Sequence, residues 1–433
     1  MSNSLTTEKL DWLDRALGIK LPAVRLEDAV PGGPVDHGPA DAAPPSEAAR
    51  PSAAPDLIAD LTIGSDGVIK FDIAKGARVP VPSGPDKAKF DADKKKLQTS
   101  LADVQTRLAK ITIVTYENAA LFKSLATAAA AYNAAATDGA KKGDLSDAVK
   151  AFTVLDKALK ALETDAVKRK AELPKKQKAA SDAGSKVDKM SDSDIAKMKP
   201  EDKAALVKAM LGAGKPTGAV REAQKKLYRN AGIDPDFKKD DEARQDKVAA
   251  SLKGDADLAK ARGDWAKQDI AGLRKQLGKV VAAQSKEFGI SPPPIIFFPA
   301  EEPAISKAAG IVAGYFNDQD GKLHINNDPS SGIKDFVSTI TVVLHENAHN
   351  YQNELVKLLQ AGKLKPADKR YKQAVMLAAN SLEPGGYIDP DESVQPKGFN
   401  DYEAQPLEVG ARETGTSTAK KIGSAVVPPK SGP

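Results

Sequence analysis

The chain contains no cysteine. That excludes a disulfide scaffold, a cysteine-ligated zinc site, an iron–sulfur cluster and a thiol nucleophile. Aromatic residues are scarce, 5% of 433 residues, which is thin for one large core. Roughly two to four smaller domains are expected at this length. No apolar run reaches the ~18 residues that a membrane helix needs. The opening MSNSLTTEKLDWLDRALGIKL lacks a basic start followed by an apolar stretch, so it does not read as a secretory signal peptide. Export, if any, is expected by a route that uses none. An excess of one charge is also missing: 64 Lys and Arg face 59 Asp and Glu, a net charge of +5. The basic stretches DKKKLQ and KRKAELPKKQK sit amid acids without interleaved aromatics, so no nucleic-acid partner is expected. A phosphate-binding G-x-x-x-x-G-K-[ST] loop, a dinucleotide G-x-G-x-x-G and a G-x-S-x-G nucleophile elbow are all absent.

What is present divides the chain. Segment 1–29 holds an amphipathic helix over 5–18, with Leu10, Trp12, Leu13 and Leu17 on its apolar side. Segment 30–55, rich in Pro, Ala and Gly, reads as a disordered linker. Segment 56–85 carries LIADLTI and VIKFDI around Ser65-Asp66-Gly67, the pattern of a short β-hairpin. From 86 to 289 the composition favours helix almost throughout. Phe90, Leu97, Leu101, Val104, Leu108 and Ile111 form one helical face, and Leu145, Val149, Phe152, Leu155, Leu159 and Leu162 another. Breaks are expected at Asp138-Gly139, Gly212–Pro216 and Ile233–Pro235. The bland reading of this region is a helical scaffold with solvated charges.

The character changes over 290–416. Eleven of the 21 aromatic residues lie between Phe288 and Tyr402, with three of the four histidines. SPPPIIFFPAEEP reads as a strand, and GIVAGYFNDQDGKLHINND as two strands around an Asn317–Gly321 turn. A helix over about 331–359 follows, capped by Ser330 or Ser331 and stopped by Gly362. The stretch 417–433 reads as a disordered tail.

Inside that helix stands LHENAHNYQNEL, in which His345, Glu346 and His349 form H-E-x-x-H. Residues i and i+4 share a helix face, so both imidazoles can reach one Zn²⁺, with Glu346 beside the open coordination position. Phe336, Val337, Ile340, Val343 and Leu344 precede the motif, which marks a buried helix. Two buried histidines and a buried glutamate are costly unless they are paired or ligated. The alternative is a pair of satisfied core histidines without metal.

Residues 290–415 resemble the active-site region of the zincin metallopeptidases. The resemblance implies a mainly α chain with a C-terminal α+β domain: a helical bundle or coiled coil, then a zincin-like metallopeptidase domain with a small β-sheet. It also implies that GKLHINN is an edge strand that pairs with extended substrate. The metzincin continuation fails, because position 352 is Gln and position 355 is Leu. No histidine follows His349, so a third ligand further on is a carboxylate. The candidates are Glu354, Glu383, Asp389, Asp391, Glu392, Glu403, Glu408 and Glu413. Glu354, at i+5 from His349, turns away from the site. DYEAQPLEVGARETG resembles the Tyr-x-x-x-Pro-x-Glu-x-x-Ala stretch of several bacterial zincins, which favours Glu408, with Glu403 second. Pro406 suits a first helical turn, and Gly410 and Ala411 allow close approach.

This ligand set implies peptide hydrolysis with Glu346 as general base. Tyr402 and Tyr387 are candidates for a second oxyanion donor, or for packing. Asn350 orients a histidine or faces solvent. His324 is structural or touches substrate, and His37 has no assigned role. The layout resembles bacterial effectors and polymorphic toxins. That implies a protein or peptide substrate, and a secretion apparatus and an immunity or inhibitor protein as partners. Two other classes stand beside this one: a structural or phage-associated helical protein with a non-catalytic zinc site, and a peptidoglycan-directed zinc amidase.

Overall fold

A computed structural model of the protein describes residues 61–63, 69–71, 85–108, 110–111, 113–299, 313–318, 320–388 and 399–427. The expected helix at 5–18, the linker at 30–55, His37, Asp389, Asp391 and Glu392 lie outside these residues. The described chain is mostly helical with a small mixed sheet. No described helix is long and apolar enough to cross a membrane.

The chain forms two compact units, one of residues 1–112 and 120–166, the other of residues 113–119 and 167–433. In the first, strands β1 (Leu61–Ile63) and β2 (Ile69–Phe71) pair antiparallel, as the hairpin pattern predicts. Helix α1 (Pro85–Leu108), helix α2 (Ala119–Lys142) and the start of α3 (Ser146–Lys189) follow. Phe90, Leu97, Leu101, Val104 and Leu108 of α1 are buried, as are Leu155, Leu159 and Leu162 of α3. Their three-, four- and seven-residue spacing keeps each set on one face. Arg107 donates to Glu163 and Asp156 across these helices. The break expected at Asp138-Gly139 is displaced: α2 runs on to Lys142 and ends at Gly143, whose φ is +73°. Gly139 serves close packing instead, since a Cβ there would lie 2.4 Å from the Asp144 carbonyl oxygen.

The second unit continues through short helices α4 (Asp192–Lys197), α5 (Pro200–Leu211) and α6 (Gly218–Arg229). Helix α7 (Pro235–Leu252), α8 (Ala256–Gly263) and α9 (Ile270–Phe288) come next. The breaks expected near Gly212 and Ile233 fall between α5, α6 and α7. The sheet consists of β3 (Ile295–Phe298), β4 (Gly314–Asn317) and β5 (Lys322–Asn326), in the order β3-β5-β4. Strands β3 and β5 run parallel, β4 and β5 antiparallel. The turn between β4 and β5 closes where Gly321 N–H donates to Asn317 O at 2.9 Å. GKLHINN therefore supplies the central strand, β5, and not an edge; among the described residues β4 is an edge. Leu323 and Ile325 alternate onto the face of β5 that meets the core.

Helix α10 (Phe336–Gln360) carries the motif. Its N-cap is Asp335, which accepts from Ser338 N–H at 2.9 Å; the expected Ser330 or Ser331 lies too early. It ends before Gly362, whose φ is +66°. Helices α11 (Tyr371–Asn380), α12 (Phe399–Ala404) and α13 (Pro406–Ala425) complete the unit. Gly314 lets β4 lie on α10, because a Cβ there would come within 2.8 Å of Val342 Cγ1.

One core cluster joins Val248 and Leu252 of α7, Leu273, Leu277 and Val280 of α9, and Leu323 and Ile325 of β5. The same cluster takes in Phe336, Ile340, Val343 and Leu344 of α10, and Ala419 and Ile422 of α13. Each fully buried Leu, Ile or Val contributes about 1.5–3 kcal/mol. Two boundaries are thereby corrected. Helices α4 to α9 share core clusters with the segment after residue 290, so no seam lies at 289–290. The expected tail from 417 is helical to Ala425, because Ala419, Ile422 and Val426 recur at helical spacing and pack inward.

Candidate metal centre

Helix α10 presents His345 and His349 on one face, one turn apart. Their Nε2 atoms stand 3.1 Å from each other. Glu408 enters from the first turn of α13, started by Pro406. Its carboxylate lies 3.4 Å from His345 Nε2 and 3.7 Å from His349 Nε2. Glu346 Oε1 is 3.9 Å from His345 Nε2. Glu346 and Glu408 are both buried.

Donors held about 2.0–2.1 Å from one tetrahedral Zn²⁺ are separated by about 3.3 Å. The two imidazole nitrogens stand 3.1 Å apart, and Glu408 brings a different oxygen to each, Oε2 to His345 at 3.4 Å and Oε1 to His349 at 3.7 Å, distances of that order. His345, Glu346 and His349 also have ligand atoms close enough to share an ion. Of the two carboxylates, Glu408 is the one with an oxygen within 4 Å of each imidazole. Glu346 Oε2 is already occupied by the Phe316 N–H of β4, at 2.9 Å. The cluster can therefore hold a metal ion.

Partners behind the donors fix their orientation. Gln352 donates through Nε2 to the Leu407 carbonyl at 2.9 Å, which leaves its Oε1 as an acceptor. That oxygen lies 2.8 Å from His349 Nδ1. The hydrogen is thereby assigned to Nδ1, and Nε2 is directed at the metal position. The Tyr387 hydroxyl donates to Glu408 Oε1 at 2.6 Å. Tyr402 meets Tyr387 edge-on, with ring centroids 6.0 Å apart. Asn347 anchors α10 to α9, donating to Gln284 Oε1 at 2.8 Å and Ser285 Oγ at 3.1 Å. Asn350 reaches the Ser291 carbonyl and Asn347 and orients neither histidine. The small residue that matters most for approach is Gly415, where a Cβ would lie 2.9 Å from His345 N. Gly410 packs against Gln352 in the same way.

The electrostatics separate the two glutamates. Burial raises the Glu346 carboxyl above the ordinary carboxylate range, against the pull of the two imidazoles. Burial would raise Glu408 too, but His349 and His345 outweigh it and hold Glu408 well below that range. Burial lowers His349, yet the Glu408 charge prevails and raises it to about 9. Burial and the Glu408 charge push the hydroxyls of Tyr387 and Tyr402 well above their usual value, so both remain proton donors. The two carboxylates make the cluster attractive to positive charge.

The other acids lie elsewhere. Glu354 is half-exposed beside Lys357, and Glu383 accepts from Gly385 N–H. Glu403 pairs with Arg412, and Glu413 with Lys238. His324 stacks on Tyr315, centroids 4.6 Å apart, and lies 3.0 Å from Asp320. Gln352 and Gly415 are the site residues that the linear pattern does not mark. The i+3 spacing of Gln352 from His349 is the one local signal that points to it. Comparison with family models, with curated proteins and with solved structures finds no match to this chain.

Proposed function

We propose that the protein is a zincin-like zinc metallopeptidase that hydrolyses peptide bonds. The observation that carries this reading is the triangle of His345, His349 and Glu408, with the buried Glu346 beside it. Two imidazoles and one carboxylate are a donor set of catalytic zinc; the same set serves non-haem iron, and Glu346, placed to take a proton from a bound water, favours zinc. A purely structural site has no need of Glu346.

Zinc, when bound, supplies a Lewis acid that brings a water's pKa toward neutrality and polarises a carbonyl. Glu346 takes the proton of the attacking water. Burial raises its carboxyl toward working pH, and Phe316 N–H holds one of its oxygens, so the other is the proton acceptor. The same group then delivers that proton to the leaving amine. Tyr402, protonated and next to Glu408, is the second donor to the developing oxyanion. Edge strand β4, whose Phe316 already holds Glu346, offers an extended peptide a backbone to pair with.

The test is hydrolysis of casein by the zinc-loaded chain and by Glu346→Gln. The wild type should cleave casein, and the variant should lose at least about 10²-fold in rate while it keeps its zinc. An active Glu346→Gln would refute the assigned base. Cleavage of cell-wall fragments with casein untouched would move the reading to an amidase.

A further inference from the structure

We infer that Arg221, Gln224 and Tyr228 of α6 are positioning residues for the metal, acting through the backbone of the 385–387 loop and the Tyr387 hydroxyl on Glu408. This inference rests on the metal-binding reading of the site. The three side chains project from one face of α6, at i, i+3 and i+7, and all are buried. Their donors converge on consecutive carbonyls. Arg221 donates to Gly385 O at 2.6 Å and Tyr387 O at 3.0 Å. Gln224 donates to Gly385 O at 2.9 Å and Gly386 O at 3.2 Å. The Tyr228 hydroxyl donates to Gly386 O at 2.7 Å. Beyond that loop, Gln405 takes both backbone groups of Ile388, receiving its N–H at 2.9 Å and donating to its carbonyl at 3.0 Å.

A buried arginine that donates to two main-chain carbonyls and to the Gln224 amide oxygen is costly where an apolar contact would serve packing alone. What the arrangement achieves is the fixed placement of one residue. Tyr387 is pinned by its own carbonyl and by those of its two predecessors, and its hydroxyl lies 2.6 Å from Glu408 Oε1. Gly385 and Gly386 permit the approach: Cβ atoms there would meet Pro216 Cδ at 2.9 Å and Leu382 O at 2.3 Å. The carboxylate opposite the two imidazoles is thus oriented from a helix more than 150 residues earlier in the chain. Partners that orient metal ligands typically govern metal affinity by about 10- to 100-fold.

The experiment is zinc affinity of the full chain by competition with a chelator, alongside the melting temperature of the metal-free protein. Tyr387→Phe removes only the hydroxyl and should weaken zinc about 10- to 100-fold with little change in melting temperature. Arg221→Gln should weaken zinc in the same range. In the Tyr387→Phe background it should cost little further affinity, because its effect runs through that hydroxyl. Tyr228→Phe is the milder variant should Arg221→Gln not fold, and it should show a smaller loss with the same non-additivity. A wild-type affinity in Arg221→Gln or Tyr228→Phe, or losses that simply add to that of Tyr387→Phe, would overturn the inference and leave the metal site standing. A wild-type chain that takes up no zinc would overturn the site reading and the inference together.

Discussion

Glu346 and Glu408 are the same residue type in one pocket, and their surroundings set them apart. Glu346 lies on the motif helix, is buried, and takes a single backbone N–H from Phe316. Its carboxyl is raised and suited to moving a proton. Glu408 faces two imidazoles and a tyrosine hydroxyl, which hold it ionised. The pair illustrates how environment divides two carboxylates between acid–base work and charge. At the same scale, the Gln352 amide oxygen selects which nitrogen of His349 carries the hydrogen. Gln352→Leu keeps the volume and removes the acceptor. It should weaken zinc about 10- to 100-fold, read by chelator competition; an unchanged affinity would mean that His349 needs no such guide.

Among the elements, the contact of α10 with α13 does most to build the centre, and glycine makes it close. Gly415→Ala would place a methyl group 2.9–3.0 Å from the His345 backbone. We expect a loss of about 1–3 kcal/mol and weaker zinc binding, since the helices must separate; equal stability and affinity would show that the contact can give. Helix α7 supports α13 from the other side through Asp241, whose Oδ2 accepts from Thr414 at 2.8 Å and Gln245 at 2.7 Å. Burial raises the Asp241 carboxyl above its ordinary value, against those two hydrogen bonds. A raised acid binds its proton more tightly in the folded state, so folding is favoured at low pH and loses stability as pH rises through the folded value. Asp241→Asn keeps the shared acceptor without the charge. Its melting temperature at pH 7 should be higher by about 2–4 °C, and the gain should vanish near pH 4; a lower value at pH 7 would contradict this. These same elements mark how far the sequence was legible. The motif is legible because i, i+4 spacing is local; Glu408 is singled out by the resemblance of DYEAQPLEVGARETG to a stretch of bacterial zincins, with Pro406 marking its helix start. The central place of β5 could not, since strand order is decided by distant partners. The end of α13 was misread because the small Gly, Thr, Ser and Ala residues that let it approach α10 have the composition of a soft tail. The α6 clamp left no linear signal, as its donors and their carbonyls lie far apart in the chain.

On the scale of the whole molecule, helices α4 to α9, which precede residue 290, are part of the unit that carries the site. Val280 and Val281 of α9 pack with Ile340, Val343 and Leu344 of the metal helix, and Gln284 and Ser285 hold Asn347. A chain begun at residue 290 would expose that surface and leave Asn347 without its partners. It should show no cooperative melting transition by circular dichroism; a sharp transition would return the boundary to 289–290. Among the described residues one cluster of His and acidic groups can hold a metal. The account therefore stands most directly on the metal itself. The decisive measurement is elemental analysis of the purified wild type and of Glu408→Ala. About one zinc per chain in the wild type, with most of it lost in the variant, is the predicted result. A wild type that stays free of zinc after incubation with it, or a Glu408→Ala chain that keeps its full share, would contradict the assignment.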